Sequence, residues 1–470
     1  MPPLELAKRG MMSQAAKRST EHAKIHKTSS FIISPRTGSN NRDFSAYQEF
    51  AGELQSLADA PLIDEPWIHR VDACLGGSAG SELCRLVRRP ARREVGAFFT
   101  SFKLADRLLS KLIFNLDADF IYDPAVGAGD LLLAVARRLP LRQTLAETLE
   151  SWGACLAGTD LQAEFVEVAK LRIALLARQR HGLAAELPNN WQNNFSFLRL
   201  GDGLSQPSLY SLATHIVMNP PFSMSSPIVG CDWAGGRVSD AAIFIVRALE
   251  HTEPGTRLRA ILPEVLRSGS LHNRWRDRVS NLAEILSVRR YGIFDKSTDI
   301  DVFLLDSKRR DSKSSSGHCW PKFVRSMNGK VGEHYDVHVG RVVPHRDPEE
   351  GPEHPYIHPR CVSAWKVINK FSEKRRHKGV CFEPPFVVIR RTSRPGHKYR
   401  ATATVISGSK PIAVENHFIV CTPKHRTLNA CRKLMRLLKT HKTNEFLNSR
   451  ICCRHLTVSS LREIPWEEHK

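Results

Sequence analysis

Four short apolar runs in the first half of this chain each stop at a polar residue or a sharp turn, and helix-patterned segments separate them. Phe120-Ile121-Tyr122-Asp123 runs into Pro124-Ala125-Val126-Gly127-Ala128-Gly129-Asp130. Cys155-Leu156-Ala157-Gly158-Thr159-Asp160 ends in an acid, and the run over 195–200 is closed by Gly201-Asp202-Gly203-Leu204. The fourth, His215-Ile216-Val217-Met218, meets Asn219-Pro220-Pro221-Phe222. Runs of this length, bounded by Gly, Pro and Asp, predict buried strands. Residues 131–139 and 163–178 carry apolar side chains at helical spacing. Strands and helices alternating in this way build a parallel sheet with right-handed crossovers. Ligands of such sheets bind at the carboxyl ends of the strands, and all four polar ends fall there.

The residue types at those ends suit particular ligand groups. Glycines after the first strand let the backbone approach a ligand closely. The third glycine of the dinucleotide fingerprint is missing, with Leu132 in its place, which counts against a nicotinamide cofactor. An acid ending the second strand can take both hydroxyls of a ribose, and Asp202 can accept from an adenine amino group. Either acid is equally placed to cap a helix. Asn219 and the carbonyls freed by the prolines can accept from a planar amino group, with the Phe222 ring as a stacking face. Asn-Pro also starts plain turns. Phe98-Phe99-Thr100 precedes a predicted helix over 101–114, whose N-terminus Thr100 or Ser101 can cap. Backbone N–H groups there favour a carboxylate.

In this order the segments resemble the γ-class amino-methyltransferases that use S-adenosylmethionine, found in restriction–modification systems and as solitary DNA methylases. The resemblance covers about residues 95–306 and extends weakly to the C-terminus. It implies an α/β fold: a Rossmann-like methyltransferase domain with a mostly parallel sheet, plus a smaller mixed α+β target-recognition domain. It implies cofactor contacts from Phe99 and Thr100, from the loop Asp123, Pro124, Ala125, Gly127 and Gly129, from Asp160 at the ribose, and from Asp202 and Gly203 at the adenine. Asn219, Pro220, Pro221 and Phe222 match the catalytic motif. The Asn219 side chain and Pro220 carbonyl would then accept from the N6 amine of a flipped adenine while Phe222 stacks on it. Phe294 is a second stacking candidate by the same resemblance, and an ordinary core aromatic is the other reading of it. No metal is implied.

With 69 Lys+Arg against 48 Asp+Glu, the net charge of +21 points to a polyanionic partner, although a basic tail supplies part of it. The partners expected are double-stranded DNA and, where one exists, a cognate restriction endonuclease. The chain carries no nuclease motif of its own and reads as a monomer. The 11 cysteines lack C-x-x-C pairs, which fits reduced thiols; no run is long enough to span a bilayer, and a cytoplasmic location is expected.

The domain reading is a basic, disordered arm over 1–45, a helical lead-in over 46–94, the catalytic domain over 95–306, a linker over 307–316, and the recognition domain over 317–470. Residues 223–237 read as a mobile loop. Arg390, Arg391, Arg394, Lys398 and Arg400 form the candidate DNA-contacting loop, with a merely solvated loop as its rival. The main activity expected is adenine-N6 methylation of DNA. The rivals are methylation of RNA, protein glutamine or cytosine N4, and a non-catalytic DNA-binding protein that retains the fold.

Overall fold

Each predicted strand end becomes a real one. In the computed structural model the first strands are β1 (Ile121–Asp123), β2 (Leu156–Asp160), β3 (Leu198–Leu200) and β4 (His215–Met218). A two-residue pair follows, β5 (Met224–Ser225) and β6 (Val238–Ser239), and then β7 (Arg257–Pro263), β8 (Ala283–Ile293) and β9 (Asp301–Arg309). The described residues are 45–466, apart from 62–63, 89–91, 93–99, 183–184, 227–230, 235, 295–299, 312–319, 321–328, 395 and 452–453. Residues 1–44 of the N-terminal arm, Phe99 and half of the linker (312–316) lie outside them.

Seven strands form one sheet in the order β3-β2-β1-β4-β7-β9-β8. The β3–β2, β2–β1, β1–β4 and β4–β7 pairs are all parallel, as crossovers through helices require. The fold is the expected Rossmann-like α/β arrangement. Strand order reverses at β1, which lies between β2 and β4, and that switch point is where such sheets open a crevice.

Long-range polar contacts brace this sheet. The helix Ala163–His181 is buried along most of its length, and Arg178, 1% exposed, donates to the carbonyls of Leu57, Ala58 and Ala60. Those carbonyls end the lead-in helix Gln48–Ala58, so the guanidinium satisfies groups that helix geometry leaves open. Asp306 on β9 accepts from Arg257 at 2.6 and 2.8 Å and from Arg259 at 2.8 Å. Arg259 also donates to the carbonyls of Leu108 and Ser110.

That last contact explains a departure from the sequence reading. The helix expected over 101–114 runs only from Phe102 to Leu108. Arg259 takes carbonyls at its end, Lys111 turns into left-handed conformation at φ 65°, and Ile113 is 92% exposed rather than inward.

The described residues divide into two units. One holds those up to 262 with 274–289 and 304–320; the other holds 263–273, 290–303 and those from 321 on. The boundary therefore differs from the expected break at 307–316. Strand β9 continues to Arg309, and two stretches ahead of it in sequence, 263–273 and 290–303, belong to the C-terminal unit.

The C-terminal unit is mixed α+β. Its strands are β10 (Tyr335–Val339), β11 (Glu353–Ile357), β12 (Val367–Ile368), β13 (Lys374–Arg376), β14 (Phe386–Arg390), β15 (Ala403–Ile406), β16 (Ala413–Val414) and β17 (Phe418–Pro423). They form a five-stranded sheet, β10-β17-β14-β15-β12, and a three-stranded one, β13-β11-β16. Val387 and Ile389 belong to one core cluster, together with the helix Leu428–Leu438, while Phe386 and Val388 belong to another. Alternate side chains of one strand are buried on both faces, which is why the run is continuously apolar.

Candidate active site

Three stretches far apart in sequence meet at the tips of β1 and β4. Asp123 closes β1, and Asn219 follows Met218 at the end of the adjacent parallel β4. Asn219 Nδ2 donates to Thr100 Oγ1 at 3.0 Å, and the Thr100 backbone N–H donates to Asp130 Oδ2 at 2.9 Å. Asp130 is the first residue of the helix Asp130–Ala136, directly after the glycine turn. The segment ahead of the glycine turn, the turn itself and the Asn-Pro-Pro tip are thus joined by side-chain hydrogen bonds. Pro220 is buried, and Pro221 and Phe222 are half-buried beside it.

The turn is sewn to the second strand. Val126 N–H donates to the Thr159 carbonyl at 3.0 Å, and Gly127 N–H donates to Asp160 Oδ2 at 2.9 Å. Gly129, at φ 83°, occupies the left-handed region, and a Cβ there would lie 2.9 Å from the Ala169 Cβ. At Gly203 a Cβ would fall 1.8 Å from the Pro124 carbonyl oxygen, so the loops after β1 and β3 touch backbone to backbone. Neither position admits a side chain. Pro124 is buried, while Ala125 and Gly127 are half-buried.

Burial dominates the electrostatics here. Asp123 is 1% exposed, accepts from Ala125 N–H, and has its carboxyl pushed up to about 8 by loss of solvent, with the charges of Asp160 and Asp130 acting the same way. Burial likewise pushes Asp160 up to about 6, against hydrogen bonds from Gln162 and Gly127 that favour its charged form. Asp202 Oδ1 accepts from Leu204 N–H at 2.9 Å, while its Oδ2 is buried with no partner among the described residues. A buried acceptor without a donor costs free energy, so a ligand amino group fits that atom.

The family model for N-6 DNA Methylase matches residues 85–277. That segment is similar to the N-6 DNA methylase family over less than half of the chain. No curated protein matches the chain. Among solved structures, a modification subunit assigned to a type I restriction enzyme from Vibrio vulnificus YJ016 is 18% identical, with 49% of this chain and 50% of that one covered at a TM-score of 0.35. The type IIG restriction endonuclease BpuSI is 14% identical, covering 82% and 61% at 0.40. The M protein of the type I restriction enzyme EcoKI is 15% identical, covering 67% and 64% at 0.34. The chain spans about half the length of the first of these. Similarities this low carry no argument.

Within residues 85–277 a second sequence expectation, the loop over 223–237, changes at its start. The stretch after Phe222 is not simply a loop. β5 and β6 pair as an antiparallel ribbon, and Asp240 accepts from the hydroxyls of Ser223 and Ser225, each at 2.5 Å. The Asp240 N–H donates to the Ser223 carbonyl. These serines lie just after Phe222, so the ribbon holds the exit of the Asn-Pro-Pro-Phe tip on the helix Asp240–His251.

Sequence reading missed Asp130 and Arg172. Arg172, 1% exposed, donates to Asp130 Oδ1 at 2.8 Å and to the carbonyls of Ala128 and Cys74. An arginine on the apolar face of a helix was the one available signal.

Two of the expected DNA contacts are not presented to a partner. Arg400 is fully buried and donates to the carbonyls of Ser393 and Ile451, so it holds its own loop together. Phe294 is 4% exposed in the C-terminal unit and cannot offer a ring face as it stands. Arg390 is half-buried and donates to the Pro359 and Val362 carbonyls. Arg394 and Lys398 are exposed. Half-buried Arg391 lines a cavity of about 500 Å³ with Arg341, Arg346, Asn416 and Arg462. The expectation of no metal meets one cluster among the described residues, His358, Cys361 and Glu373, in which His358 Nε2 lies 2.9 Å from Glu373 Oε1.

Proposed function

We propose that this chain transfers a methyl group from S-adenosylmethionine to the N6 amino group of adenine in duplex DNA at a specific sequence. The observation that carries the reading is the linkage of Asn219 through Thr100 to Asp130, because it gathers donor-side and acceptor-side motifs at adjacent strand tips. The bound cofactor supplies an electrophilic sulfonium methyl. Thr100, the 123–129 loop, Asp160 and Asp202 would hold it, and the orphaned Asp202 Oδ2 fits its adenine amino group.

Asn219 and the Pro220 carbonyl accept from the target amine. Losing planarity localises the nitrogen lone pair, and the developing ammonium is stabilised by these oriented dipoles; as the carbon–sulfur bond breaks to a neutral thioether, the acidic ammonium releases its proton to water, so no strong base is needed. Phe222 offers a stacking face for a base turned out of the duplex, which removes the amine from its pairing partner. Exposed Arg394 and Lys398 in the C-terminal unit are the phosphate contacts that remain of the original set.

Purified protein should transfer labelled methyl from the cofactor to unmodified duplex DNA in preference to RNA or protein. Transfer confined to RNA or protein would overturn the reading. Cofactor binding without any transfer would favour the non-catalytic alternative.

A further inference from the structure

We infer that Arg172 and Asp130 are positioning residues for the Asn219 amide, acting through Thr100. The inference rests on the methyltransferase reading and adds residues that the catalytic motif does not contain.

The donors converge on one carboxylate from two sides. Arg172 Nη1 donates to Asp130 Oδ1 at 2.8 Å, Thr100 N–H donates to Asp130 Oδ2 at 2.9 Å, and Asn219 Nδ2 donates to Thr100 Oγ1 at 3.0 Å. Each oxygen of one carboxylate is thereby committed to a different partner. The Arg172 side chain is 1% exposed and that of Asp130 11%, so the pair is shielded from competing water. Inside a protein such charge-assisted bonds are short, directional and hard to rearrange.

The same guanidinium holds the glycine turn. Arg172 Nη1 donates to the Ala128 carbonyl at 2.6 Å, and its Nε donates to the Cys74 carbonyl at 3.0 Å. One buried side chain therefore fixes the spacing between the turn, the Thr100 backbone and the lead-in helices. Thr100 is itself 7% exposed, so its hydroxyl has little freedom once its N–H is held. With Nδ2 engaged by that hydroxyl, the amide plane of Asn219 is set, and with it the direction in which Oδ1 can accept. A displacement of about 1 Å in such a group can cost on the order of a hundredfold in rate.

A plain structural ion pair would have different consequences, because its loss lowers stability without singling out the chemical step. Thr100→Val keeps the shape and removes the acceptor for Asn219. It should lower kcat by about ten- to a hundredfold, with KM for DNA changed by no more than about threefold. Thr100→Ser should restore kcat. Asp130→Asn should lower kcat by a similar factor alone and add nothing further in the Thr100→Val background. Arg172→Lys, which keeps the charge, should behave as Asp130→Asn does and covers the case in which Asp130→Asn fails to fold.

Multiplicative effects of Thr100→Val and Asp130→Asn would overturn the inference. So would losses that track the melting temperature alone. If the wild-type protein methylates no DNA, the functional reading falls separately. Crystal structures of Thr100→Val and Asp130→Asn then decide the positioning claim: a rotated Asn219 side chain in both supports it, and an unmoved one overturns it.

Discussion

At the scale of single residues, the site is built from buried polar atoms whose cost is tolerated for what they can do. Asp123 is the clearest case. Its folded-state carboxyl is pushed up to about 8 from an ordinary value of 3.8, so the folded chain keeps a proton that the unfolded chain releases. Stability from this group is fully present below about pH 4 and is lost as pH rises towards 8. The melting temperature of Asp123→Asn should therefore fall less steeply between pH 5 and 8 than that of the wild type, which thermal scans in matched buffers check (the window follows from the two values above). Asp202 makes a different prediction. Asp202→Asn keeps an oxygen for Leu204 N–H but puts an amide donor where the buried acceptor stood. Cofactor affinity measured by calorimetry should drop about tenfold or more, with little change in melting temperature. Both acids were legible in the sequence because each closes an apolar run. Asp130 and Arg172 were not, since their partners lie 30 to 98 residues away and no local pattern records them.

At the scale of elements, strand ends were readable while supports between elements were not. The runs at 120–123, 155–160 and 215–218 are short and apolar, and their ends fell within a residue of the observed ones. The helix after Thr100 was drawn too long, because Leu112 and Ile113 continue its apolar spacing. What stops it is Arg259, a residue about 150 positions away that claims the Leu108 and Ser110 carbonyls. The β5–β6 ribbon was missed for the same reason, since Asp240 defines it from the far side of a stretch that reads as loop. The Arg257–Asp306–Arg259 cluster should therefore be a keystone of the sheet. Asp306→Ala leaves Arg259 buried without its carboxylate, and should destabilise the fold by about 3–5 kcal/mol in urea unfolding. An exposed ion pair such as Lys374–Glu353 should contribute little by comparison.

At the scale of the whole molecule, the described residues fall into two units, each assembled from more than one stretch of sequence. The sequence changes character near 308–316, yet residues 263–273 and 290–303 group with the C-terminal unit. Excursions from one unit into another leave no mark on composition, so a linear reading places the break where the charge run lies. Arg400 shows the same limit at closer range: a basic loop reads as surface, and the packing of Ser393 and Ile451 around it is visible only in three dimensions. The surplus charge of +21 predicts DNA affinity that falls steeply with salt, measurable as a log–log slope. Arg394→Ala with Lys398→Ala should make that slope shallower by about one to two. The central claim concerns the Asn219 tip and the amine it holds. Its most direct measurement is mass spectrometry of nucleosides from duplex DNA treated with wild-type protein and with Asn219→Ala. The account predicts N6-methyladenine from the wild type and none from the variant; methyl on another base, or equal N6-methyladenine from both, would contradict it.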